Sequence, residues 1–194
     1  MHDQVKCLLL HILGPALSFS LLYCHQSFCS AMALNFEHKV LTAQTLPSWR
    51  ESLRQQGRKV VVTNGCFDLL HVGHVTYLQQ ARNLGDALLV GLNSDVSISQ
   101  LKGPSRPVCC EHDRCCVLAA LESVSGVFIF AERDACRFLE LSRPDVYVKG
   151  GDYTVETLNQ EERRLLESMG AKILILPVVA GKSTTAMIEK SKVK

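Results

Sequence analysis

From residue 36 onward, short apolar runs alternate with longer stretches whose apolar residues recur at helical spacing. The short runs are rich in β-branched residues and are typical of strands buried on both faces. They lie at residues 59–64 (KVVVTN), 87–93 (ALLVGLN), 127–130 (VFIF), 145–150 (DVYVKG) and 173–176 (ILIL). The intervening stretches predict helices over residues 46–56, about 71–84, 117–124, 135–141, 154–169 and from 183 onward.

This alternation predicts βαβ units. We therefore expect an α/β fold: a doubly wound, Rossmann-like parallel sheet of about five strands, with helices on both faces. Sheets of this kind bind ligands at the carboxyl ends of their strands, so the chemistry should follow the apolar runs.

The first 35 residues differ from the rest, because residues 7–23 are nearly all apolar but interrupted by His11, Gly14 and Pro15. That run is short for a membrane span. Three interpretations stay open: sequence upstream of a true start at Met32, a secretory or transit segment, or a membrane anchor. We favour the first, and divide the chain into an extension (1–35) and one domain (36–194).

The composition indicates which partners and which cellular compartment to expect, but it does not identify the reaction. The formal charge is +2 and no long basic stripe occurs, so we expect no nucleic-acid partner. Nine cysteines at scattered or doubled positions do not resemble a disulfide framework, which favours a reducing, cytoplasmic compartment. Adjacent pairs chelate metal poorly, so Cys109, Cys110, Cys115 and Cys116, with His112 between them, are expected to be structural.

The first strand runs into the segment TNGCFDLLHVGH, residues 63–74. Gly65 allows a sharp turn, and a helix is expected to begin near His71. His71 and His74 are three residues apart, so they share one face of the first helical turn. Two imidazoles beside a helix N-terminus favour phosphate oxygens, and Gly73 leaves room for a close approach.

This segment resembles the HxGH signature of the cytidylyltransferase-like nucleotidyltransferase superfamily, in its longer GCFDxxHxGH form. The likeness continues in order through residues 91–108, 113–114, 143–153 and 181–185, and covers roughly residues 38–191. Within the superfamily, the chain is most similar to the adenylyltransferase half of the heptose-phosphate kinase/adenylyltransferase enzymes of bacterial ADP-heptose synthesis.

The resemblance implies transfer of AMP from ATP to D-glycero-β-D-manno-heptose 1-phosphate, giving ADP-heptose and pyrophosphate for lipopolysaccharide or another surface glycan. It implies Mg²⁺ held mainly by the ATP phosphates, with Asp68 in either a structural or a Mg²⁺-related role. The expected catalytic residues are His71, His74 and Lys102, and Lys102 and Arg114 are expected at the substrate phosphate. The expected nucleotide-binding residues are Asn64, Gly65, Cys66, Phe67, Asp68, Gly73, Lys149, Gly150, Asp152, Lys182, Ser183, Thr184 and Thr185.

The resemblance also has consequences for partners. No kinase half accompanies these motifs, so we expect a separate kinase to supply the sugar 1-phosphate. We expect no stable membrane association, and the resemblance allows a homodimer. The sequence departs from the pattern of these enzymes at two places: Ala180 replaces an acidic residue, and residues 131–135 (AERDA) lack the usual acidic, Pro-containing form.

Two alternatives remain open on the sequence alone. One is a cytidylyltransferase acting on glycerol 3-phosphate or phosphoethanolamine, and the other is a catalytically inactive nucleotide-binding module. The GKST at residues 181–184 is not a Walker A loop, because Leu176 stands where its first glycine is required. No GxGxxG follows the first strand, which argues against a dinucleotide oxidoreductase.

Overall fold

The computed structural model describes residues 36–151, 153–177, 181 and 184–192. Within these residues, a short 3₁₀ helix at Phe36–Lys39 precedes one six-stranded sheet in the order β1-β4-β3-β2-β5-β6. Every paired strand is parallel to its neighbour. The strands are β1 (Val40–Leu41), β2 (Val60–Gly65), β3 (Ala87–Asn93), β4 (Gly126–Phe130), β5 (Val146–Gly150) and β6 (Lys172–Leu176).

Seven α-helices are described alongside the sheet. They are α1 (Leu46–Gln55), α2 (Val72–Arg82), α3 (Asp95–Lys102), α4 (Glu111–Ala119), α5 (Cys136–Ser142), α6 (Gln160–Ser168) and α7 (Thr184–Lys192). The predicted doubly wound fold is confirmed, with β1 as an additional edge strand too short for an apolar run to reveal.

Helix boundaries differ from the predictions where capping decides them. Helix α6 begins at Gln160, six residues later than expected, because the Asn159 side chain accepts hydrogen bonds from the backbone N–H groups of Glu161 and Glu162. Helix α3 was not predicted. Ser94 caps it through Ser97, but few of its side chains are buried, so its apolar periodicity is weak.

The core forms on both faces of the sheet because side chains alternate along each strand. On β2, Val61 packs with Leu78 of α2 and Leu118 of α4. Its neighbours Val60 and Val62 point the other way and pack with side chains of α1, α5 and α6. Helices therefore cover both faces, and the inner strands β2, β3 and β4 are largely buried between them.

The order of the strands creates a crevice. From β2 the chain moves outward through β3 and β4, then returns to place β5 on the other side of β2. The carboxyl ends of β2 and β5 therefore flank the point where the connections diverge, which is where open α/β sheets bind ligands. Within the described residues, no helix has the length and apolar character that crossing a bilayer requires.

Candidate active site

A cleft of about 660 Å³ lies over this crevice. Its size suits a small-molecule ligand. Thirteen of the residues predicted from the sequence line it: Asn64, Gly65, Cys66, Phe67, Asp68, His71, Gly73, His74, Lys102, Lys149, Gly150, Thr184 and Thr185. Asp152, Lys182 and Ser183 lie outside the described residues.

The two histidines lie side by side at the start of α2. His71 is the N-cap residue in extended backbone, and its carbonyl accepts from the backbone N–H groups of His74 and Val75. The imidazole rings of His71 and His74 stack with centroids 4.0 Å apart, and Phe67 meets His74 edge-on at 5.3 Å. This packing fixes both rings toward the cleft at the positive end of the helix dipole.

The surroundings of His74 favour its neutral form in the absence of a ligand. Burial, and then the positive charges of His71 and Lys102, lower the pKa of His74 to about 4. Lys102 reaches this region as the last residue of α3. A phosphate ligand would reverse the electrostatic part of this shift, because it brings negative charge to the same cations.

Lys149, at the end of β5, is held by the end of β2. Its Nζ donates to the side-chain Oδ1 of Asn64 at 2.6 Å, and the hydroxyl of Tyr147 donates to the same oxygen at 2.6 Å. Nζ also lies 5.7 Å from the ring centroids of Tyr147 and Tyr153, within cation–π range. Burial lowers the pKa of Lys149, and the negative charge of Glu162 opposes that shift.

Aromatic rings crowd two glycines at the site. A Cβ on Gly150 would lie 2.7 Å from the Tyr77 ring, and a Cβ on Gly65 would lie 3.1 Å from the Phe67 ring. The Tyr77 hydroxyl donates to the carbonyl of Val148 on β5 and shares a 2.7 Å hydrogen bond with Thr63 on β2. Tyr77 thus joins the two strands that flank the crevice.

Asp68 is committed to holding the loop after α3. Its Oδ2 pairs with the Arg106 guanidinium at 2.6 Å, and its Oδ1 accepts from the backbone N–H groups of Val108 and Cys109. The side chain is 1% exposed. Both oxygens are therefore occupied, and Asp68 does not fit as a Mg²⁺ ligand. Among the described residues, no group of three or more potential metal ligands is close enough to hold a cation.

Arg114 lies beneath the cleft, not in it. It is 2% exposed. Its guanidinium donates to the carbonyls of Cys109, Cys66 and Asn93 and pairs with Asp95 at 2.8 Å. These partners belong to the turn after β2, the end of β3 and the loop before α4. The predicted contact with a substrate phosphate is therefore replaced by a positioning role that fixes the loops around the site.

The clustered cysteines are free thiols. Cys115 is a buried residue of α4, and burial raises the pKa of its thiol to about 11, which leaves it protonated and unreactive at neutral pH. Cys116 is half-buried, and its Sγ lies 3.7 Å from the His112 ring.

The structure also brings residues to the cleft that sequence reasoning missed. They come from the connection after β4, from the segment after β5 and from the start of α6, and they include Arg133, Asp134, Tyr153, Asn159 and Glu162. Tyr153 belongs to residues 143–153 and Arg133 and Asp134 belong to AERDA, but the resemblance assigned none of them a role. For Arg133 and Asp134 the usable signal is position, because they follow a predicted strand end, where ligands of such sheets bind.

A parallel sheet with this strand order, paired histidines at a helix start, Lys102 at the end of α3 and Lys149 at the end of β5 together define a nucleotide-binding α/β domain of the HxGH class. Comparison with known proteins agrees. The chain matches the Cytidylyltransferase-like family over residues 62–190. It therefore belongs to that family and is a nucleotidyltransferase.

Its relatives include larger proteins. Bifunctional protein HldE of Syntrophotalea carbinolica is 49% identical over 158 residues, which is 81% of this chain and 32% of that protein. The HldE of Methylobacillus flagellatus is also 49% identical, over 78% of this chain and 31% of that protein. The chain thus spans about a third of the length of these relatives.

A solved structure has the same fold. A lipopolysaccharide core biosynthesis protein from Thermoplasma volcanium superposes with a TM-score of 0.52 and 26% sequence identity. The match covers 63% of this chain and 98% of that one.

Proposed function

We propose that this protein transfers AMP from ATP to a heptose 1-phosphate, D-glycero-β-D-manno-heptose 1-phosphate, and releases pyrophosphate. The observation that carries the proposal is the convergence of His71, His74, Lys102 and Lys149 on one cleft at the crevice between β2 and β5. Four basic side chains in one cleft match a ligand with several phosphate groups. The HldE relatives and the lipopolysaccharide core biosynthesis protein support a role in making a surface-glycan precursor.

The chemistry requires no protein nucleophile. An oxygen of the acceptor phosphate attacks the α-phosphorus of ATP, a new P–O bond forms, and the bond to the β-phosphate oxygen breaks. Negative charge grows on the departing pyrophosphate. His71 and His74, fixed by their mutual stacking and by Phe67, are placed to stabilise that charge, and Lys102 to neutralise the acceptor phosphate. ATP would carry Mg²⁺ on its own phosphates.

Pyrophosphate release tests the proposal directly. The full chain is incubated with Mg²⁺ and ATP, CTP or GTP, each paired with heptose 1-phosphate, glycerol 3-phosphate or phosphoethanolamine. We expect release with ATP and heptose 1-phosphate. Release confined to CTP with glycerol 3-phosphate or phosphoethanolamine would retain the mechanism and reject the substrates. No release with any pair, from protein that still binds nucleotide, would reject catalysis.

A further inference from the structure

The cleft has two walls of opposite chemical character. The histidine wall comprises His71, His74 and Lys102, on α2 and at the end of α3. The carboxylate wall comprises Asp134, Asn159 and Glu162, just before α5 and at the start of α6, and Arg133 lines the cleft next to Asp134. Helices α2 and α6 pack on opposite faces of the sheet, so a ligand that crosses the strand ends meets both walls.

Glu162 is the most buried member of the carboxylate wall, at 7% exposure. Its Oε1 accepts a 2.8 Å hydrogen bond from the backbone N–H of Ala135, which ties the first turn of α6 to the start of α5. Asn159 caps the same turn by accepting from the N–H of Glu162. The carboxylate is therefore held at a fixed place at the edge of the cleft, and its position does not depend on a ligand.

The charge of a carboxylate at this place determines which part of a ligand can bind beside it. It accepts hydrogen bonds and repels phosphate oxygens, so the phosphates are better matched by the histidine wall and by Lys149. On the same side, Thr184 of α7 lines the cleft, and its hydroxyl donates to the carbonyl of Leu69, just before α2. The neutral part of the acceptor, which bears its hydroxyl groups, is therefore expected to bind beside the carboxylate wall.

We propose that Glu162 is a specificity-determining residue that accepts hydrogen bonds from hydroxyl groups of the acceptor sugar. The inference rests on the proposed function and adds the means by which a polyhydroxylated acceptor is preferred over a smaller phosphate ester. A site built to bind a hydroxyl group discriminates strongly against an analogue that lacks it, because the buried acceptor is then left without a partner.

The test compares Glu162→Gln with Glu161→Gln in the full chain. Glutamine keeps the shape of the side chain and an oxygen for the Ala135 N–H, but loses the charge and one acceptor. Glu161 is the exposed neighbour on the same helical turn and serves as the control. For Glu162→Gln we expect the KM for heptose 1-phosphate to rise on the order of tenfold or more, with kcat and the KM for ATP within about twofold. Glu161→Gln should match the wild type.

A rise in the KM for ATP without a rise for the sugar would overturn the inference, and would make Glu162 only a counter-charge for Lys149. Unchanged constants would overturn it as well. The proposed function fails in a different way: it is rejected if the wild type releases no pyrophosphate with any phosphorylated sugar. The inference about Glu162 is rejected if the wild type is active and Glu162→Gln is equally active.

A series of monodeoxy sugar 1-phosphates gives a second readout that needs no stable variant. Wild-type protein should lose on the order of tenfold in kcat/KM for at least one missing hydroxyl group. If Glu162→Gln folds, the same deletion should cost it little further, because the residue and the hydroxyl group act as one pair. Equal use of every deoxy sugar by the wild type would refute the assignment.

Discussion

Asp68→Asn removes the charge from a carboxylate that organises the loop beside the cleft. In the wild type, burial alone would raise the pKa of Asp68. The backbone N–H groups of Cys109 and Val108 and the Arg106 guanidinium outweigh burial, so the pKa lies below its ordinary value. Asparagine retains one acceptor oxygen, but its NH₂ group is then directed at groups that are themselves donors.

The loss of folding stability follows from the groups that Asp68→Asn leaves without a partner. Breaking a buried ion pair by removing one member costs about 3–5 kcal/mol, and the retained oxygen offsets part of this, so we expect about 2–4 kcal/mol. For a chain of this size, each kcal/mol shifts Tm by roughly 2–4 °C, which gives a fall of roughly 5–15 °C. Asp113→Asn, on the exposed surface of α4, should change stability by about 0.5 kcal/mol at most.

Thermal and urea unfolding of the two variants, followed by circular dichroism, measure the difference. A group whose folded pKa is depressed contributes stability above its unfolded pKa, and this contribution is lost as pH falls through the folded value. The gap between wild type and Asp68→Asn should therefore be constant from pH 6 to 8 and narrow below about pH 4. If Asp68→Asn is as stable as the wild type but needs more Mg²⁺ for activity, our account is refuted. Asp68 would then be assigned as a Mg²⁺ ligand.

Three further predictions address other parts of the site. His74→Ala should lower kcat by on the order of 10²- to 10³-fold with little change in nucleotide affinity, measured by pyrophosphate release and calorimetry. Because His74 binds its proton more weakly when folded, the wild type should lose stability as pH falls from about 6.5 toward 4, and the variant should lose less. Gly150→Ala should lower the free energy of unfolding by about 1–3 kcal/mol, because its Cβ overlaps the Tyr77 ring. In unfolding experiments on a Tyr77→Leu background, the same change should lower it by less. Cys115 should react with iodoacetamide far more slowly than exposed Cys110 at pH 8, as peptide mapping would report; equal rates would contradict its burial.

The fold and the histidine wall could be predicted from the sequence because their signals are local. Residues 87–93 were predicted as a strand and form β3 with the same bounds, since a buried parallel strand needs an uninterrupted apolar run. His71 and His74 lie within one helical turn, so their spacing alone places them together.

The remainder depends on contacts between distant residues. Arg114 follows an aspartate near the start of a helix, which is equally consistent with an exposed phosphate ligand and with a buried support, and only the tertiary packing distinguishes them. The close contact between Gly150 and the Tyr77 ring joins two different elements, so the sequence around Gly150 does not reveal it. Glu162 belongs to an acidic helix start that could equally be solvated.

The bond between Lys149 and Asn64 joins residues 85 positions apart in the chain. Because long loops must close before distant strands pair, β5 is expected to dock on β2 late in folding. A nascent chain that has not yet exposed β5 therefore carries the complete HxGH turn but no binding cleft. Nucleotide can stabilise only the fully assembled domain, so it should slow unfolding without accelerating the early steps of folding.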